Sequence, residues 1–85
     1  MITNKVLVTV NVPSLERKFD MFIPVNRKVH SVVKMIKMSL FELSMGSFVV
    51  DNKYLLYNGE TGQSYDMNVL IRDTDIRNGS NIIIL

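Results

Sequence analysis

An α+β fold, one small domain in which a single helix packs across a mixed sheet, is what this sequence predicts. Three observations carry the reading. Two period-2 alternations open the chain, one stripe of helical spacing follows, and the turn-bounded run "IIIL" closes it at residues 82–85.

The elements follow in order. In "KVLVTVNV", Val6, Val8, Val10 and Val12 fall on one face and Leu7, Thr9 and Asn11 on the other, the pattern of a half-buried strand. "PSLER" interrupts it, because Pro13 cannot donate to a ladder and Ser14 favours a turn. A second alternation, "KFDMFI", sets Phe19, Met21 and Ile23 against Asp20 and Phe22, so the two strands read as a hairpin.

Pro24 stops the second strand, and the period then changes. Val29, Val32, Val33, Ile36, Leu40 and Leu43 recur at spacings of three and four, one stripe of a helix. Lys34 and Lys37 lie on the other side, and Met35 and Met38 beside the stripe, where thioethers either fill core gaps, the favoured reading, or serve a permissive interface. Asn26, or a residue one or two later, caps the start, and Gly46 stops the helix.

"SFVV" and "YLLY" then read as short strands around "DNK", with a turn at Asn58-Gly59. "ETGQSYDMN" reads as loop. A short apolar stretch, a turn at Asn78-Gly79 and a strand from Asn81 to Leu85 complete the order ββαββ. If the last strand pairs with the first in parallel, it is central, with Ile82 and Ile84 entering the core while Ile83 and Leu85 face the other way.

Length and composition agree with one domain over residues 1–85. Hydrophobic residues make up 47% of the chain and charged ones 21%, ordinary globular values. There is no cysteine, which fits a reducing compartment, so the core has no disulfide to support it. No apolar run reaches membrane-span length and the N-terminus alternates instead of forming a signal-peptide block, so a cytoplasmic protein without direct membrane insertion is expected. The charge is uneven: residues 1–40 carry seven Lys/Arg against two acids, and residues 41–85 three against six. Such a dipole orients a protein partner. Nucleic acid is not expected, because no Arg-rich segment or aromatic stacking platform accompanies the basic half.

Catalytic and metal-binding patterns are weak. His30, the only histidine, falls near a helix start with no nucleophile in recognisable context. Asp73 and Asp75 begin like a calcium loop, but Ile84 stands where the twelfth-position acid belongs. The four glycines are scattered and form no phosphate cradle. Neither an enzyme, a cofactor nor a metal is expected.

The hairpin "KVLVTVNV…KFDMFIP", the helix seed "VHSVVKMI", the strand and turn "YLLYNGE" and the closing "LIRDTDIRNGSNIIIL" resemble, over residues 5–85, the ubiquitin-like β-grasp proteins. Within that superfamily, "FDMFIPVNRKVHSVVKMI" and "DIRNGSNIIIL" are similar to phrases of the small YukD/EsaB proteins that accompany bacterial type VII secretion systems. The resemblance implies a binding module, an accessory that docks on a cytoplasmic region of a membrane secretion component or regulates assembly of that machinery. Ubiquitin and the sulfur carriers use a C-terminal Gly-Gly; this sequence closes on Ile84 and Leu85, so conjugation is not expected, with a carrier role as the alternative. A further alternative is a self-associating subunit, a homodimer.

Strand parity and the resemblance together bring Leu7, Leu56, Ile83 and Leu85 to the exposed sheet face, with Phe22 at its margin, as partner-binding residues. On this reading Leu56→Asp or Ile83→Asp abolishes partner capture and leaves the fold intact. Lys34 and Lys37 form a basic helix face suited to an acidic partner.

Overall fold

The computed structural model describes residues 4–85. Strands β1 (Lys5–Val12) and β2 (Arg17–Pro24) form an antiparallel hairpin with Leu7 opposite Phe22 and Thr9 opposite Asp20. Their connection is a single 3₁₀ turn, Pro13–Leu15, closed by Glu16 in a left-handed conformation at φ 51°. Helix α1 (Val29–Leu43) follows, then β3 (Leu56–Asn58), a second 3₁₀ turn (Ile71–Asp73) and β4 (Asn81–Ile84). The sheet order is β2-β1-β4-β3, with β4 parallel to β1 and antiparallel to β3. This is the mixed sheet and ubiquitin-like β-grasp arrangement expected from the sequence.

Burial follows the two predicted periods. Val8, Val10 and Val12 of β1, Phe19 and Ile23 of β2, and Ile82 and Ile84 of β4 lie on the inner face. Val29, Val32, Val33, Ile36 and Leu40 of α1 pack over them in one core cluster. Each such side chain contributes about 1.5–3 kcal/mol as an upper estimate. Leu43, also placed on the stripe by its spacing, is exposed: the helix ends there, and Phe48 is the next buried side chain along the chain.

The helix ends show how local chemistry sets boundaries. Lys28 is the N-cap and supplies no side-chain bond. Instead the first-turn N–H groups of Val29 and His30 donate to the carbonyls of Val69 (2.9 Å) and Met67 (3.0 Å), so a distant loop satisfies donors that a capping side chain would otherwise take. Asn26 is not the cap; its Oδ1 accepts from Arg72 Nη1 at 3.2 Å. At the other end Gly46 is the expected stop, at φ 87° with its N–H donating to Phe41 O at 2.8 Å, and Met45 before it is also left-handed at φ 55°.

Between α1 and β3 the structure departs from expectation. "SFVV" forms no strand. Phe48 is instead an anchor for irregular backbone: it is buried, it stacks on Tyr54 with centroids 4.9 Å apart, and its N–H donates to Ser44 Oγ at 2.9 Å. Tyr54 OH closes the segment by donating to Val49 O at 2.7 Å.

Strand β3 is shorter than "YLLY", but Leu55 and Leu85 extend its ladder by exchanging backbone bonds of 3.0 and 3.1 Å. At the turn beyond it, Gly59 N–H donates to Asn81 O at 2.8 Å, and a Cβ on Gly59 would lie 2.8 Å from the same oxygen. Only glycine allows that approach. No described helix is long and apolar enough to cross a membrane.

Candidate interaction surface

Helix α1 covers one face of the sheet and leaves the other to solvent. On that outer face the period-2 geometry displays Leu7, Thr9 and Asn11 from β1, Lys18, Asp20 and Phe22 from β2, and Asn81 and Ile83 from β4. The predicted partner-binding residues divide into three cases.

Ile83 and Leu85 meet the expectation in position. Ile83 is half-buried between Asn11 and Tyr57 in the ladder, and Leu85 is 59% exposed opposite Leu55. Leu7 and Phe22 are also on the outer face, directly opposite one another, with Phe22 65% exposed. They do not join the first pair, however. Leu7 lies four residues before Asn11, the residue level with Ile83, which is about 13 Å along the strand. Thr9, whose hydroxyl donates to Asp20 Oδ1 at 2.9 Å, and Asn81 fill the interval.

Leu56 is a correction. It is 0% exposed, in register with Ile84 on the inner face, and belongs to the core. Consequently the expectation that Leu56→Asp spares the fold does not hold. The outer positions of this strand are Leu55 and Tyr57, which sequence reasoning missed. "YLLY" reads the same in both directions, so either parity gives each face one leucine and one tyrosine. No local signal separates the two.

The outer face therefore carries two apolar corners, Leu55/Tyr57/Ile83/Leu85 and Leu7/Phe22. Between them is a shallow polar depression lined by Thr9, Asn11, Lys18, Gly59 and Asn81. Lys18, in register with Asn11, gives it a positive rim.

Of the residues weighed for chemistry, Asp75 is held by side-chain hydrogen bonds. Asp75 accepts from Tyr65 OH (2.7 Å) on one oxygen and from Asn58 Nδ2 (3.0 Å) on the other, while Asn58 Oδ1 accepts from the N–H groups of Glu60 and Thr61. Burial pushes the Tyr65 pKa well above 10.0, and the hydrogen bond to Asp75 and its negative charge add to the shift. Since the folded value is the higher one, the unfolded chain loses this proton first as pH rises. Stability is thus full below pH 10 and falls above it. Urea melts at pH 9 and pH 11 should show a smaller alkaline loss in Tyr65→Phe than in the parent protein. His30 is exposed, with Nδ1 3.5 Å from Ser31 Oγ, the outer limit of a hydrogen bond, and its other ring nitrogen has no described partner. Among the described residues no group of three or more His, Cys, Asp or Glu could hold a metal ion.

The helix surface also differs from expectation. Met35 and Met38 do not fill the core; both are exposed, because the five inward residues of α1 already complete its buried stripe. Lys34 is exposed, whereas Lys37 is half-buried with its ammonium 5.7 Å from the Tyr54 ring centroid.

No protein-family model matches the chain, and no curated protein sequence does. Solved structures share the fold at low identity. The ubiquitin-like domain of the Mycobacterium tuberculosis type VII secretion system protein EccD1 superposes with a TM-score of 0.76 at 13% identity, over 98% of this chain and 99% of that one. The EccD5 ubiquitin-like domain from Mycobacterium xenopi gives 0.71 at 10% identity, over 98% and 94%. A chain of the MycP5-free ESX-5 inner membrane complex gives 0.71 at 16% identity, where 98% of this chain spans only 21% of that one. At these identities the likeness establishes the ubiquitin-like fold.

Proposed function

We propose that this protein is a non-catalytic ubiquitin-like interaction module, a cytoplasmic accessory of a bacterial type VII secretion machine that docks on a membrane component through its outer sheet face. The observation that carries the docking reading is the corner formed by Leu55, Tyr57, Ile83 and Leu85, apolar side chains displayed on the face that α1 leaves open. A rigid ladder holds their backbone in fixed register, so little backbone ordering is needed when a partner covers them. Lys18 and the polar depression beside the corner supply orientation, and the apolar side chains supply affinity. The secretion context is supported by the fold shared with domains of secretion proteins, one of them within an inner membrane complex.

Native co-purification from the host, including the detergent-solubilised membrane fraction, tests this reading. The tagged parent protein should enrich membrane components of the secretion apparatus. Ile83→Asp should reduce that capture by about tenfold or more, the loss expected when one anchor is replaced by a charge, with an unchanged circular dichroism spectrum. Equal capture by a folded Ile83→Asp protein would remove the sheet face from the proposal. A concentration-dependent dimer in sedimentation, abolished by the same substitution, would reassign the corner to self-association.

A further inference from the structure

We propose that Asn58-Gly59 is a deamidation site, at which conversion of one side-chain amide to a carboxylate unfastens the turn after β3 from Asp75. The sequence holds two Asn-Gly pairs, 58–59 and 78–79, and each stands at a turn. In such a pair the main-chain nitrogen of glycine, unhindered by a side chain, attacks the asparagine Cγ. The N–Cγ bond forms, the Cγ–Nδ2 bond breaks, and the glycine N–H proton leaves with the amide as ammonia. Water then opens the cyclic imide to aspartate, or to isoaspartate with its lengthened main chain.

The fold restrains the first step at both pairs. Gly59 N–H donates to Asn81 O and Gly79 N–H to Leu7 O, each at 2.8 Å, so attack waits on a local opening of the turn. Glycine is nonetheless fixed at position 59, because a Cβ there would lie 2.8 Å from Asn81 O. Packing thus demands the residue that makes the pair reactive.

The two pairs differ in how the amide is used. Asn58 uses both ends: Oδ1 accepts from the N–H groups of Glu60 and Thr61 at 2.7 and 3.0 Å, and Nδ2 donates to Asp75 Oδ2 at 3.0 Å. Deamidation keeps the acceptor but sets a second carboxylate oxygen against Asp75, and the two charges repel. The same Asp75 anchors Tyr65, whose N–H closes on Leu56 O, so the strain spreads along the return of the loop to β3. Asn78 contributes only its oxygen to the described hydrogen bonds, accepting Leu7 N–H at 2.8 Å, and a carboxylate accepts that bond at least as well. Identical chemistry at the two pairs therefore loosens the first turn and spares the second. The inference is independent of the docking reading.

The test incubates the full chain in mildly alkaline buffer with and without guanidinium chloride, and follows both asparagines by peptide mapping and mass spectrometry. Both should convert in denaturant, and Asn58 should convert measurably but more slowly in native buffer. Asn58→Asp should lower the melting temperature by about 4 °C or more, whereas Asn78→Asp should change it by less than about 2 °C. Amide exchange in Asn58→Asp should accelerate at Gly62 and Tyr65, the donors to Asn58 O and Leu56 O. Combining Asn58→Asp with Asp75→Asn should recover most of the loss, because amide and carboxylate then exchange places; that recovery separates a charge clash from a general loss of fold. The proposal is overturned by an Asn58→Asp protein as stable as the parent, or by no recovery in the double variant. It is overturned equally if Asn58 stays intact in native buffer for a period that exhausts the denatured sample.

Discussion

Leu56→Asp destabilises the domain by at least about 4 kcal/mol, enough to unfold it at the lower end of its stability range, whereas Leu55→Asp leaves it folded. Leu56 is fully enclosed and lies in register with Ile84 on the inner face, among the side chains that α1 covers. A carboxylate there has no buried polar partner, because among the described residues no polar or charged one is buried. The cost of burying it unpaired, or of holding it protonated, is at least about 4 kcal/mol. A domain of this length has about 4–13 kcal/mol in total. Leu55, one residue earlier, points to solvent, and the same change there costs within about 0.5 kcal/mol. Thermal melts followed by circular dichroism distinguish the pair. A folded Leu56→Asp beside an unfolded Leu55→Asp would reverse the parity of β3 and return Leu56 to the outer face of the sheet.

The second large effect is expected at Phe48. Phe48→Ala removes a ring that is 1% exposed and leaves a cavity beneath a segment with no ladder of its own, at a cost of about 3–5 kcal/mol. Tyr54 loses its stacking partner, worth about 0.5–1.5 kcal/mol within that total. Val49→Ala, at the exposed neighbour, is the control and should be near neutral. Urea titration measures both, and a loss under about 1 kcal/mol at Phe48 would show that residues 44–55 are held by their backbone bonds instead.

The fold was legible wherever a period ran long enough. The alternations "KVLVTVNV" and "KFDMFI" defined β1 and β2, and the three- and four-residue spacing from Val29 to Leu40 defined α1. The inward set of β4 followed from its pairing with β1. What escaped was decided by contacts distant in sequence. "SFVV" has strand composition, but Phe48 is recruited by Tyr54 and Ser44 into an irregular turn. The helix start moved past Asn26 because residues 67 and 69 supply its acceptors. The outer sheet face was legible at Ile83 and Leu85 and illegible in "YLLY", whose symmetry hides its parity. Nor did spacing alone show that Leu7 and Phe22 lie at the opposite end of the face, since that depends on the register between β1 and β4.

The same register governs how the chain reaches its native state. Thr9 pairs with Asn81, so the two central strands lie about seventy residues apart in sequence, and the entropy of closing so large a loop slows their meeting. During synthesis the β1–β2 hairpin is complete long before β4 exists. At about 5–20 residues per second, its valine-rich β1 edge waits roughly 3–12 s for a partner. Arg17, Lys18 and Asp20 guard the outer edge on β2, but the waiting edge of β1 carries charge only at Lys5. The nascent polypeptide, more than the finished domain, is therefore the species at risk of pairing with its own copies, and a chaperone at the ribosome exit would act on that edge.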